Sequence, residues 1–120
     1  MIIVNIGGDG EVPGAVNVNS LVALRRPLAE IVRRGPLVCG DFTCLPIRDA
    51  CVDVVVGNRI PLLGDMGSMA MTEAFRVLKH GGSARVHAST GGGITLLEPM
   101  KQAGFREVTI VGSYSIGSKQ

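Results

Sequence analysis

The residues in this chain able to do chemistry fall in short groups, each behind an apolar run: Gly7 to Glu11 (GGDGE), Asn19, Asp41-Phe42, Asn58-Arg59 and His87. Gly7 and Gly8 let the backbone approach a ligand with no side chain in the way, although a plain turn needs the same residues. Asn19 can hydrogen-bond ribose hydroxyls or serve as a turn-former. Asp41 offers a carboxylate to an exocyclic amine and Phe42 an aromatic face to a purine; the alternative is an Asx-turn with Phe42 in the core. Arg59 suits an acidic substrate or the plain surface. His87 is the histidine placed for acid–base work, imidazole being the side chain that titrates near neutrality, its default being a satisfied, partly buried residue. No Cys, Ser or carboxylate pairs recognisably with it, so no catalytic residue is assigned. Cys39, Cys44 and Cys51 are odd in number and lack a CxxC pair, which indicates neither a disulfide framework nor a zinc site. They are expected to be reduced, mostly buried small apolar residues.

The elements that must position these groups read as alternating strands and helices. β-branched runs bounded by glycine and proline predict strands over residues 2–6, 15–18 and 37–39, and residues 52–56 have the pattern of a strand buried on both faces. Pro27 can begin a helix ending near Arg34. Met66, Met69, Ala70, Ala74, Val77 and Leu78 recur at steps of three and four, the clearest helix, with Asp65 as N-cap and Gly81-Gly82 as its end. A strand over 83–88, the glycines Gly91-Gly92-Gly93, a helix near 96–103 closed by Gly104, and a hairpin of 108–111 with 114–116 complete the chain. Glu73 and Arg76, three apart on one helix face, predict an ion pair. The pattern predicts one open, mainly parallel α/β sheet with a terminal antiparallel strand, whose ligand crevice lies beyond the carboxyl ends of the strands.

Length and composition are consistent with this. The 120 residues, 46% hydrophobic and 18% charged, allow a single domain over 1–120. A net charge of +2 does not indicate a nucleic-acid partner. Arg25, Arg26, Arg33 and Arg34 read as solvated ends of a short amphipathic helix rather than a phosphate-binding surface. No apolar run approaches the ~18 residues that span a bilayer, and Met1 leads into a strand without a basic signal-peptide start, so a cytoplasmic protein is expected.

Two stretches carry a family resemblance: GDFTCLPIRDACVDVVVGN at 40–58 and EAFRVLKHGG at 73–82, with AGF at 103–105. They resemble the class I S-adenosylmethionine-dependent methyltransferases, and VNIGGDGEVPGAVNVNS at 4–20 is similar to the start of one branch of that family. The resemblance implies a Rossmann-like methyltransferase fold and a transferase using S-adenosylmethionine on an unknown acceptor. It implies a donor site of Gly7, Gly8, Asn19, Asp41, Phe42 and Asn58, with Asp41 gripping the adenine amine and Asn58 facing donor and substrate. Three departures stand out. Asp9 and Glu11 replace glycines, where their carboxylates can repel that of the donor; Asn19 replaces the ribose-binding acid; and residues 7–14 are too few for the first crossover helix, which is expected to be missing. With no insertion for a substrate-binding cap, the acceptor must be held by short loops, a second copy in a homo-oligomer or a protein partner. The alternative function is a catalytically inactive binding protein on the same scaffold, an immunity or regulatory partner.

Overall fold

Val and Ile dominate the short apolar runs of the first half, and each run becomes a strand of one sheet. The computed structural model describes residues 1–20, 23–60, 65–89, 91 and 93–120. Along these the elements are β1 (Ile3–Ile6), β2 (Val16–Asn19), α1 (Leu28–Arg34), β3 (Leu37–Cys39), β4 (Val52–Ile60), α2 (Met66–Val77), β5 (Leu78–Ala88), α3 (Leu97–Ala103), β6 (Arg106–Val111) and β7 (Tyr114–Ser118). A 3-10 turn, Gly93–Leu96, leads into α3. Gly92, part of the expected glycine turn there, lies outside the described residues. The strand order is β3-β2-β1-β4-β5-β7-β6. β1 to β5 are parallel, and β7 runs antiparallel between β5 and β6. The expected open α/β sheet with an antiparallel closing strand is present.

No helix joins β1 to β2; residues 7–15 return as a loop. Four-residue strands are only about 13 Å long. Residues 7–15 can reach about 30 Å when extended, so a bare loop suffices for the parallel return. It is pinned by the Gly7 N–H to the Val18 carbonyl at 2.8 Å and the Gly14 N–H to the Arg34 carbonyl at 3.0 Å.

α2 buries Gly67, Ala70, Met71, Ala74 and Val77 along one stripe. With Val52 and Val55 of β4, Val86 of β5, Met100 of α3 and Phe105, the Ala70, Met71, Ala74 and Val77 side chains share one core. Each fully buried aliphatic side chain in it contributes about 1.5–3 kcal/mol. The helix ends earlier than its glycines suggest. Leu78 is already extended and pairs with Val52, and Gly81-Gly82 lie inside β5. The reason is tertiary: the last carbonyls of α2, at Arg76 and Val77, accept the N–H groups of Ala50 and Cys51 at 2.9 Å each, so no glycine cap is needed. Asp65 precedes the helix but makes no side-chain cap bond. α3 ends at Gly104, whose φ of 113° only glycine adopts readily and where a β-carbon would come 3.0 Å from the Phe75 ring. Phe105, just beyond, meets Phe75 edge-to-face at 5.2 Å between centroids.

Two side-chain expectations change. Cys39 and Cys44 are exposed, at the end of β3 and in the loop after it, while Cys51, just before β4, is half-buried and packs against the core; all are free thiols. α1 buries Ile31 but leaves Leu28 and Val32 half exposed, so only part of its apolar stripe packs.

Candidate active site

β1, β2 and β3 step outward one way, and the chain then returns to place β4 on the other side of β1. That reversal opens a crevice beyond the carboxyl ends of the strands. Its volume is about 610 Å³, within the roughly 300–1,000 Å³ of ligand pockets. One wall comes from the β1, β2 and β3 ends and carries Gly7, Asp9, Glu11, Asn19, Arg26 and Phe42; the other, from the β4, β5 and β7 ends, carries Asn58, Arg59, His87 and Tyr114. Four of the six expected site residues thus meet there: Gly7, Asn19, Phe42 and Asn58. Gly8 and Asp41 do not line the crevice.

The first wall is held together by its own side chains. Gly8 is buried, and a β-carbon on it would fall 2.4 Å from Asn5 Nδ2 and 2.6 Å from Asn17 Oδ1, so only glycine fits between these two buried asparagines. Every N–H from Gly7 to Gly10 is engaged within the protein: Gly7 by Val18, Gly8 by the Asn5 carbonyl at 3.2 Å, Asp9 by Glu11 Oε1 at 3.1 Å and Gly10 by Asn17 Oδ1 at 3.1 Å. Glu11 Oε1 also accepts a hydrogen bond from Asn5 Nδ2. Asn5 Oδ1 has no partner among the described residues. Asp9 is buried and faces Arg26 Nε at 3.8 Å, which offsets its charge. Asn19 donates to the Gly8 carbonyl at 3.1 Å and accepts the Ser20 N–H at 2.9 Å, tying the end of β2 to the glycine loop.

Asp41 forms the Asx-turn: Oδ1 accepts the Thr43 N–H at 2.8 Å and the Thr43 hydroxyl at 2.7 Å, and these bonds, the backbone one foremost, hold its carboxyl below the usual range. Phe42, between them, is half-buried, packing on the core and also lining the crevice.

The second wall holds a residue the sequence did not nominate. Tyr114, at the start of β7, donates its hydroxyl proton to Asn58 Oδ1 at 2.5 Å. The Arg85 guanidinium lies 4.2 Å above its ring and His87 5.5 Å away between centroids. As the sole tyrosine and the first residue after the hairpin turn it was visible in the sequence. Only the antiparallel insertion of β7 beside β5, pairing Ser115 with Val86, shows that it reaches the crevice. Next to Asn58, Arg59 has a φ of 60°, and β4 is irregular in its pairing with β5 between Gly57 and Ile60. A long side chain in left-handed backbone costs about 1–2 kcal/mol, and such irregularities often re-aim side chains beside active sites.

A family profile described as a methyltransferase domain matches residues 17–86, more than half of the chain. This chain belongs to the methyltransferase-domain family. The matched span runs from β2 through most of β5 and leaves out the glycine loop. Solved structures show the same fold. A S-adenosylmethionine-dependent methyltransferase from Thermotoga maritima is 18% identical with a TM-score of 0.72, over 99% of this chain and 82% of that one. The cyclase SpnF is 23% identical with a TM-score of 0.70, over 90% and 51%. A methyltransferase solved with the Haloferax volcanii methyltransferase activator is 13% identical with a TM-score of 0.73, over 98% and 81%. No curated protein sequence matches.

S-adenosylmethionine is the cofactor this methyltransferase family implies. The crevice fits it in volume and in offering an aromatic face at Phe42, and a β-carbon at Gly7 would meet no atom within 4 Å. The glycine loop fits less well, since its N–H groups are already bonded and a carboxylate, Glu11, stands beside them.

Proposed function

We propose that this methyltransferase domain binds S-adenosylmethionine across the two walls of the crevice and transfers its methyl group to an acceptor held against Asn58, His87 and Tyr114. The observation that carries this is the convergence of Gly7, Asn19, Phe42 and Asn58 on one cavity at the strand-order reversal of a methyltransferase-family chain. When bound, the cofactor supplies an electrophilic methyl group on a sulfonium sulfur. The protein's part is positioning. In this reading Phe42 takes the purine face, Asn19 lies near the ribose, Gly7 keeps the floor free of a side chain, Gly8 lets the loop pack between Asn5 and Asn17, and Asp41 fixes the turn that presents Phe42. Asn58 is oriented by Tyr114, and His87, which lines the same wall, is the base that takes up the acceptor's proton.

Calorimetric titration with S-adenosylmethionine tests the reading: micromolar binding that weakens in Phe42→Ala and Asp41→Ala supports it, and no heat at millimolar ligand sinks it. A second reading, a binding protein that has given up the cofactor, is favoured by the saturated N–H groups of the glycine loop, and the same null titration would leave it standing. Under the first reading a protein partner or a second copy completes the acceptor side; under the second it is the ligand itself. The fold's occurrence in a complex with an activator supports that, and size-exclusion chromatography with light scattering tests self-association. Three free cysteines fit a reducing, cytoplasmic setting, to be checked by cell fractionation.

A further inference from the structure

We propose that Arg59 forms an anion-binding subsite of the crevice that takes a carboxylate or a phosphate group. The subsite rests on the methyltransferase reading only for the origin of that group, which belongs either to the acceptor or to the amino-acid end of the methyl donor.

Three arginines reach the crevice, and they are not equivalent. Arg26 is already engaged, by Asp9 at 3.8 Å and by Glu30 at 3.4 Å. Arg25 and Arg59 are exposed and have no acidic partner within ion-pair distance among the described residues. Arg59 is also held in left-handed backbone at the irregular end of β4, a position that suits glycine or asparagine far better than a long side chain. A strained residue lining a cavity, with an unpaired charge, points to a ligand for that charge.

The opposite wall offers an anion less. The N–H groups of Gly7 to Gly10 are all bonded internally, so these four are not free for an anionic ligand. Glu11 adds negative charge on that side. An anionic group entering the crevice is therefore drawn to the β4 side, where a guanidinium can accept it in a bidentate fork.

The test uses the full chain, with inorganic phosphate and acetate as probes, followed through the side-chain Nε–H resonance of Arg59. Saturable shifts are expected, with affinity reduced about tenfold or more in Arg59→Gln and unchanged in Arg33→Gln, on the exposed helix α1 away from the crevice. Arg59→Gly, which relieves the backbone, provides a variant that keeps the fold, and in both Arg59 variants the loss is read by calorimetry. The source of the anion follows from S-adenosylhomocysteine compared with 5′-methylthioadenosine, which lacks the amino-acid end. If wild type prefers the former and Arg59→Gln erases that preference, the group is the donor's. If the preference survives while phosphate or acetate binding is lost, the group is the acceptor's. Absence of saturable probe binding, or equal affinity in both Arg59 variants and wild type, overturns the subsite. Failure of both nucleosides to bind would instead count against the methyltransferase reading, leaving the anion titration to stand by itself.

Discussion

Two carboxylates decide much of the behaviour of this domain at the level of single residues. Glu11 accepts hydrogen bonds from the Asp9 N–H and the Asn5 amide, occupying with its own negative charge the loop that faces the crevice. Glu11→Gln keeps an acceptor oxygen and removes the charge, so affinity of the crevice for acetate, a purely anionic probe, should rise, by about threefold to tenfold, in a calorimetric titration at fixed salt. Glu73 does structural work. Its carboxylate accepts from Arg76 Nε at 2.7 Å and Nη2 at 2.9 Å and from the Leu45 N–H at 2.7 Å, while Arg76 also reaches Asp49 and the carbonyls of Leu45 and Ile47. The Arg76 guanidinium, more than any other group, holds the Glu73 carboxyl below its ordinary value of 4.5 and is itself held firmly protonated. A folded-state value below the unfolded one stabilises the fold above about pH 4.5, and that contribution is lost as pH falls through the folded value. Glu73→Gln should therefore be less stable than wild type by about 1.5–3 kcal/mol at pH 7, with the gap closing below about pH 4.5 in urea titrations.

At the level of elements, the loop that replaces the first crossover helix is the part with least tolerance. Gly8 sits between Asn5 and Asn17 with no space for a methyl group. Gly8→Ala should lower the urea midpoint, by about 1–3 kcal/mol in stability, and should disturb backbone amide shifts from Asn5 to Asn19 more than elsewhere. The corresponding feature of α2 is its end. The N–H groups of Ala50 and Cys51 close the last turn from a distant part of the chain, so the helix stops at Val77 and leaves Gly81 and Gly82 to β5. Periodicity located this helix well because its buried stripe is a local property of the sequence, whereas its end was set by a partner about 25 residues upstream in the chain.

On the scale of the whole molecule, one core joins the sheet to α2 and α3, and the crevice is walled by strands from both halves of the chain. The chain has a single tyrosine and no tryptophan, and that tyrosine lies in the crevice. Tyr114 fluorescence and far-UV circular dichroism should thus give coincident urea transitions, since breaking the second wall requires separating β7 from β5 in the same core. An earlier transition in the fluorescence would show that the crevice opens apart from the rest. The same fluorophore should respond to S-adenosylmethionine if the ligand spans both walls.

The sequence alone makes legible the alternation of strands and helices, the absence of a helix between β1 and β2, and the candidates at the strand ends, because these follow from local apolar periodicity and from the number of residues available between runs. It also named Gly7, Asn19, Phe42 and Asn58, each next to a strand end that points at the crevice. The folded chain settles choices that the sequence leaves open: Asp41 bonds to Thr43 and Asn19 ties to Gly8. Packing alone brings Glu11 and Asn17 to the N–H groups of Asp9 and Gly10, and Tyr114 to Asn58 from 56 positions away. Those outcomes depend on which hydrogen-bond partners the packed chain brings within reach. A polar side chain in a loop has several partners of similar strength to choose from, and its sequence neighbours do not select among them.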